Sequence, residues 1–215
     1  MIASFYFFIL VLGILMGISV YFQKDVQGYL KFFSPFLIIT LIVSFIGYSM
    51  GMKDINNLAL YNFFSVFEFV FYLFVLRQII INQRIKKIIL CCGVLYPIIA
   101  ITDICFVTGI HAYHTVTYGF GAILIVIFCL YHFYELFRTP RFGRLIQQPA
   151  FWICSGLLLF YAGTLPYFIA INILTPFANP HYDAILGMLN IINIVSNCLY
   201  YSTFVIAFLC KVKNL

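Results

Sequence analysis

Glu68 is the residue of this 215-residue chain whose position most strongly suggests chemistry. It lies in the middle of a long apolar run, where an ionisable side chain is costly and is therefore a functional candidate. Asn62 and Ser65 precede it, and Tyr72 follows four residues later, so the four side chains form one polar stripe on a helix. Such a stripe can bind a ligand, an ion or a proton. It can equally hold helices together through a protonated or hydrogen-bonded glutamate.

A second polar stripe consists of three asparagines near the end of the chain, Asn190, Asn193 and Asn197. Side-chain amides donate and accept hydrogen bonds, and lipid cannot satisfy them, so this stripe should face the interior of a helix bundle. If the two stripes lie on neighbouring helices, Glu68 and the asparagines would line one pocket that opens outward. Interhelical hydrogen bonding, worth about 0.6 kcal/mol per contact, is the alternative, above all for Asn197.

Four residues near the predicted outer ends of the helices are candidate metal ligands: His111, His114, His181 and Asp183. Imidazole nitrogens and carboxylate oxygens suit divalent metals. The two pairs lie in different loops, however, and nothing in the sequence fixes them together. Solvated loop histidines are therefore the simpler interpretation.

Comparison with known membrane chemistries gives no further candidate site. His132 and Glu135, followed by Arg138, resemble half of a di-iron helix pattern, but a second copy is missing, so we expect an interfacial salt-bridge cluster. Retinal needs a lysine in the middle of the seventh span, whereas Lys211 lies at its end. No Ser/His/Asp set or phosphate-binding loop is apparent. We therefore expect no cofactor, and a protein that is not an enzyme.

The composition identifies the setting of these residues. Hydrophobic residues make up 65% of the chain and charged residues 8%, against about 25% charged residues in a soluble domain, and the mean hydropathy is +1.09. These values exclude an ordinary water-soluble fold and a disordered chain. The twelve basic residues are too dispersed to form a nucleic-acid-binding domain, so no nucleic-acid partner is expected. The lipid bilayer is the expected surrounding.

Seven apolar runs are long enough to cross a bilayer as helices, which takes roughly 20 residues each. The runs are continuously apolar and lack the alternation of membrane strands. The first run lacks the features of a cleaved signal peptide, so we expect it to be retained. The sequence thus predicts an all-α, polytopic membrane protein, a seven-helix bundle forming one domain over 1–215. The predicted spans are 2–22, 35–51, 58–80, 87–107, 115–137, 151–171 and 184–210.

The basic residues predict the orientation. Eleven of the twelve lie on one side of the predicted membrane, and Lys53 alone lies on the other. Basic loops stay in the cytoplasm. The N-terminus is therefore expected outside and the C-terminus inside.

Two segments carry a family resemblance. Residues 131–160 read YHFYELFRTPRFGRLIQQPAFWICSGLLLF, and residues 56–74 contain LYNFFSVFEFVFYLF. Both resemble a group of small bacterial seven-helix membrane proteins, which are similar to the membrane sensor portions of some histidine kinases. The resemblance implies the same bundle, the bacterial cytoplasmic membrane, and recurrent motif positions for Glu68 and Trp152. It implies no known activity.

These features predict a non-enzymatic membrane sensor or receptor-like protein. It would bind a small ligand or cation in the outward-opening pocket and signal through a separate cytoplasmic or membrane partner. The first alternative is a small solute transporter or channel with Glu68 as its coupling site. The second is a metal-dependent membrane enzyme that uses the outer histidines.

Overall fold

The computed structural model of the protein is built from helices. It describes residues 2–23, 26–138, 145–174 and 180–212, and the side chains at 5–23, 26–138, 145–168, 185, 187–189 and 191–210. No β-strand occurs in these ranges. Seven of the helices described are long and apolar enough to cross a membrane. The prediction of an all-α, multi-pass membrane protein is confirmed at this level.

Each predicted span has a helix as its counterpart. A 3₁₀ turn at Val20–Phe22 and a π-helical turn at Asp103–Val107 extend two of the helices, and a separate 3₁₀ turn at Leu145–Gln147 precedes a third. The helices are α1 (Ile2–Ser19), α2 (Gly28–Gly51), α3 (Leu58–Ile79), α4 (Gln83–Thr102), α5 (Thr115–Arg138), α6 (Pro149–Leu174) and α7 (Pro180–Val212).

The start of the second helix corrects the prediction. The sequence predicts a span from residue 35, whereas α2 begins at Gly28 and contains Pro35 in its interior. Proline has no N–H with which to bond the carbonyl four residues earlier, here that of Lys31. The hydroxyl of Tyr21 donates a hydrogen bond to that carbonyl instead. A donor from outside the helix thus allows α2 to continue through the proline.

The chain divides into two compact units, which are described separately. Unit 1 comprises Met1–Ile38 and Leu136–Leu215, and so contains α1, the start of α2, α6 and α7. Unit 2 comprises Ile39–Glu135, and so contains the rest of α2, α3, α4 and α5 up to Glu135.

Aromatic side chains form the core of unit 1. The ring of Phe204 on α7 lies 4.9 Å from Phe33 on α2 and 4.5 Å from Tyr200, centroid to centroid. Phe160 on α6 stacks on Tyr200 at 4.6 Å. All four rings are buried, and edge-to-face and stacked pairs add attraction beyond the burial of their area.

Small residues allow α6 and α7 to approach closely. A Cβ atom on Gly156 would lie 1.9 Å from Oγ1 of Thr203, and one on Gly163 would lie 2.6 Å from Oγ of Ser196. The two glycines are seven residues apart on α6, as are their partners on α7, so the contacts repeat along an antiparallel pair. Close backbone approach of this kind is how membrane helices gain van der Waals contact without help from water.

Unit 2 has its own aromatic core. Phe69 on α3 lies 5.2 Å from Tyr96 on α4 and 5.2 Å from Tyr118 on α5. Gly121 on α5 makes room for Tyr96, because a Cβ atom there would lie 2.8 Å from the phenol ring. The three helices thus meet around these rings, next to the polar side chains of α3.

The substitution Gly156→Ala should destabilise the protein by about 1–3 kcal/mol, because the added methyl group overlaps Thr203. The matched control is Gly93→Ala on α4, where an added Cβ meets nothing within 4 Å. Alanine is the better helix former by about 1 kcal/mol, so the control should be neutral or stabilising. Unfolding of the purified proteins in detergent micelles measures both. Equal stability of the two variants would contradict the close approach of α6 and α7.

Candidate functional site

A chain of buried hydrogen bonds connects the ends of three helical elements in unit 2. His114, which is 0% exposed, lies at its centre, just before α5. Its Nε2 atom is 2.7 Å from Oγ of Ser65 on α3, and its Nδ1 atom is 2.7 Å from Oγ1 of Thr117 on α5. The hydroxyl of Thr117 donates to Oδ2 of Asp103, 2.7 Å away. These four side chains are called the His114 chain below.

The π-helical turn Asp103–Val107 positions the acidic end of the His114 chain. In this turn, the backbone N–H of Thr108 donates a hydrogen bond to the carbonyl five residues earlier, that of Asp103, at 2.8 Å. The Thr108 hydroxyl donates to Oδ1 of Asp103 at 2.7 Å, so each carboxylate oxygen accepts one threonine hydroxyl. Gly109 follows at φ +82°, a left-handed conformation that favours glycine. Single π-helical turns occur frequently at functional sites.

Asn62 attaches the first turns of α3 to the loop before His114. Its Nδ2 atom donates to the carbonyl of Ala112 at 2.8 Å, and its own carbonyl lies 2.8 Å from Oγ of Ser65. The Oδ1 atom of Asn62 is buried and has no hydrogen-bond partner among the described residues. A buried acceptor without a partner costs about 1–3 kcal/mol, so this oxygen is a place for a further donor.

Glu68 lies one helical turn beyond Ser65, in the middle of α3. It is 8% exposed, and the hydroxyl of Tyr72 donates to its Oε1 atom at 2.9 Å. All four members of the predicted stripe are therefore buried, but they form two bonded sets. Asn62 and Ser65 join the surroundings of His114, and Glu68 pairs with Tyr72.

The asparagine stripe lies in unit 1, and Glu68 lies in unit 2. Asn197 donates through Nδ2 to the carbonyl of Asn193 at 2.9 Å and lies 3.2 Å from its Oδ1 atom, so these two amides bond within α7. The side chain of Asn190 lies outside the described side chains. The pocket shared by Glu68 and the asparagines stays a prediction.

The candidate metal ligands have different surroundings. His111 is exposed, but His114 is fully buried and both of its ring nitrogens are hydrogen-bonded. The interpretation of His114 as a solvated loop histidine is therefore wrong, because the short loop 108–114 folds it under the start of α5. The side chains of His181 and Asp183 lie outside the described side chains. Among the residues described, no three His, Cys, Asp or Glu side chains are grouped to hold a metal ion.

The far end of α5 stabilises the start of α4. The carboxylate of Glu135 accepts the backbone N–H groups of Ile81 and Asn82, each at 2.9 Å. Asn82 is the N-cap of α4 and accepts the N–H of Arg84 through its side chain at 2.9 Å. An acidic group near a helix N-terminus is favourable. His132, expected to share a salt-bridge cluster with Glu135, is instead buried, and its two ring nitrogens make no described hydrogen bond.

The sequence alone did not indicate the His114 chain, and the expectation that no Ser/His/Asp set exists needs correction. Ser65 and His114 meet directly, and Thr117 connects His114 to Asp103. The available signal was the shortness of the loop 108–114, which forces the ends of two helices together. The set does not fit acyl transfer, because Ser65 is 5% and His114 0% exposed, and a substrate cannot reach the serine oxygen. Its hydroxyls and imidazole can instead exchange protons.

Burial lowers the pKa of His114 to about 4, although the negative charge of the Asp103 carboxylate raises that pKa in part. Removing the imidazole from water disfavours its charged form. His114 is therefore neutral at pH 7, with one ring nitrogen donating and the other accepting.

No protein-family model, curated protein or solved structure matches this chain.

The pKa of His114 predicts a specific acid sensitivity. Below its ordinary pKa of 6.5, the unfolded chain binds a proton that the folded protein does not, so stability falls as the pH drops from 6.5 towards 4. We expect this contribution to reach about 2–3 kcal/mol. His114→Gln should remove it, and His111→Gln, at an exposed position, should not. Unfolding in detergent micelles between about pH 7 and pH 4.5 measures the slope. The same slope in wild type and His114→Gln would contradict the assignment.

Proposed function

We propose that the protein is a membrane sensor or receptor-like protein that binds a small ligand or cation at Glu68 and signals through a separate partner. The observation that carries the proposal is the position of Glu68. Its carboxyl group is enclosed in the middle of an apolar helix and has the Tyr72 hydroxyl as a described donor. An ionised carboxylate in such surroundings is costly, and a bound cation or proton removes that cost.

The orientation in the proposal follows from the basic residues. With eleven of twelve on one side, the N-terminus would lie outside and the C-terminus in the cytoplasm. The loop 108–114 would then face outward, towards incoming ligands. The basic loops would face the cytoplasm, where a signalling partner would bind. Residues 56–74 and 131–160 resemble small bacterial seven-helix membrane proteins, some of which are similar to the membrane sensor portions of histidine kinases, and this resemblance supports the same role and a bacterial cytoplasmic membrane.

The test compares the two glutamates of the chain. Purified wild-type protein, Glu68→Gln and Glu135→Gln are titrated in detergent with protons, sodium, potassium and calcium, and thermal unfolding is recorded. A cation at one hundred times its dissociation constant should raise stability by about 2.7 kcal/mol. We expect wild type and Glu135→Gln to respond and Glu68→Gln to lose the response. Native mass spectrometry of the same samples detects a retained organic ligand.

Equal responses and equal retained masses in all three proteins would refute binding at Glu68. Glu135→Gln is the appropriate control because it makes the same chemical change on α5, where the carboxylate binds backbone N–H groups. It should lower stability without affecting the ligand response.

A transporter or channel is the second candidate, and the hydrogen-bonded groups near Glu68 favour it. Ser65, three residues before Glu68, bonds to His114, and such groups would supply a route for a coupling proton at this end of α3. Ion or solute flux into proteoliposomes distinguishes the two functions. A receptor binds without flux, whereas a transporter gives flux that Glu68→Gln abolishes.

A further inference from the structure

We propose that the His114 chain is a proton pathway that connects the loop 108–114 with Glu68, so that the ligand exchanged at Glu68 is a proton. The inference rests on the proposed function in taking Glu68 as the binding site. It adds the identity of the ligand and the route by which the ligand arrives. Neither follows from the position of Glu68 alone.

The hydrogen-bond roles of the His114 chain are consistent in one direction. With neutral His114, the Ser65 hydroxyl donates to Nε2 and the Nδ1–H group donates to Thr117. The Thr117 hydroxyl then donates to Asp103, at the distances of 2.7 Å given above. Every donor therefore points from α3 towards the carboxylate. The hydrogen bonds in a chain of this kind polarise one another in surroundings of low dielectric constant.

One proton can cross the chain without leaving charge on it. Glu68 gives its proton to the Ser65 oxygen, and the Ser65 proton moves to Nε2 of His114. The Nδ1 proton moves to Thr117, and the Thr117 proton moves to Asp103. One O–H bond breaks at Glu68 and one forms at Asp103, and every intermediate group ends with the number of protons it had. The reverse sequence loads Glu68.

The step between Glu68 and Ser65 spans one helical turn. Residues three apart are neighbours on a helix surface and are separated by about 4.5 Å along the axis. The pathway therefore requires one bridging water molecule between the Glu68 carboxyl group and the Ser65 hydroxyl.

The chain also has a second, reversed arrangement. The Ser65 hydroxyl can turn to the carbonyl of Asn62, 2.8 Å away, while Nε2–H donates to the Ser65 oxygen. After a proton has crossed, this reversed arrangement is the one that the hydroxyls and imidazole occupy. Ser65 therefore has an acceptor in both states, as a repeatedly used pathway requires.

The groups that face His114 suit a relay. The Asp103 carboxylate, on the π-helical turn, interacts electrostatically with the imidazole of His114. The rings of Tyr113 and Tyr118 lie 5.3 and 6.3 Å from the imidazole. Glu68 lies on α3, and the ring of Tyr96 on α4 lies against the ring of Phe69 on α3. Because burial disfavours the imidazolium, a proton passing through His114 is released and not trapped. Asp103, which is partly exposed, is the end that exchanges with water.

The experiment follows the carboxyl group of Glu68 directly. The purified full chain in lipid nanodiscs is subjected to a pH jump, and infrared spectroscopy records the carbonyl band that Glu68→Gln removes. Thr117→Val keeps the shape of the side chain and removes its hydroxyl, so it should slow proton exchange at Glu68 at least about tenfold. Asp103→Asn should slow it as well. Thr164→Val is the control, because this buried hydroxyl donates to the carbonyl of Phe160 in its own helix.

Unchanged exchange at Glu68 in folded Thr117→Val and Asp103→Asn would overturn the pathway and leave Glu68 as a binding site. If Thr117→Val fails to fold, Asp103→Asn with the Thr164→Val control decides the question. A Glu68 band that never exchanges after the jump overturns the pathway too. The cation titration of Glu68→Gln then decides separately whether the proposed function fails with it.

Discussion

Polar side chains that are buried in an apolar helix bundle must find their hydrogen-bond partners inside the protein. The arrangement of unit 2 follows from this constraint. Each side chain of the His114 chain supplies a hydrogen-bond donor or acceptor to the next one. Neither lipid nor an apolar core would supply these groups. The close meeting of α3, α5 and the π-helical turn is the geometric result. The same constraint makes Glu68 costly unless a ligand or proton compensates its charge.

Unit 1 shows how packing brings its helices together. Its helices gain attraction from stacked aromatic rings and from glycines that face small residues across α6 and α7. Where a backbone carbonyl loses its partner, at Pro35, a tyrosine hydroxyl replaces it. Both units thus have aromatic cores, and the described hydrogen bonds of the His114 chain are confined to unit 2.

Local parts of the candidate site were predictable from the sequence. Glu68 and Tyr72 are four residues apart on one helix, and this spacing alone brings their side chains together. The partners of His114 were not predictable in the same way. Ser65 is forty-nine residues away along the chain, and nothing in its immediate sequence marks it. His114 next to a short loop resembles any solvated histidine until the helix ends are placed around it.

The amino-acid composition and the lengths of the apolar runs were enough to predict seven helices able to cross a membrane, because the transfer of such runs from water to lipid depends on composition and length. The sequence also determined which residues are too polar to face lipid. The tertiary structure alone decided which of those residues meet. A hydrogen bond requires two atoms within about 3 Å, and helices far apart in the sequence reach that distance only through packing. The His114 chain is therefore a product of the fold, whereas Glu68 is visible in the sequence.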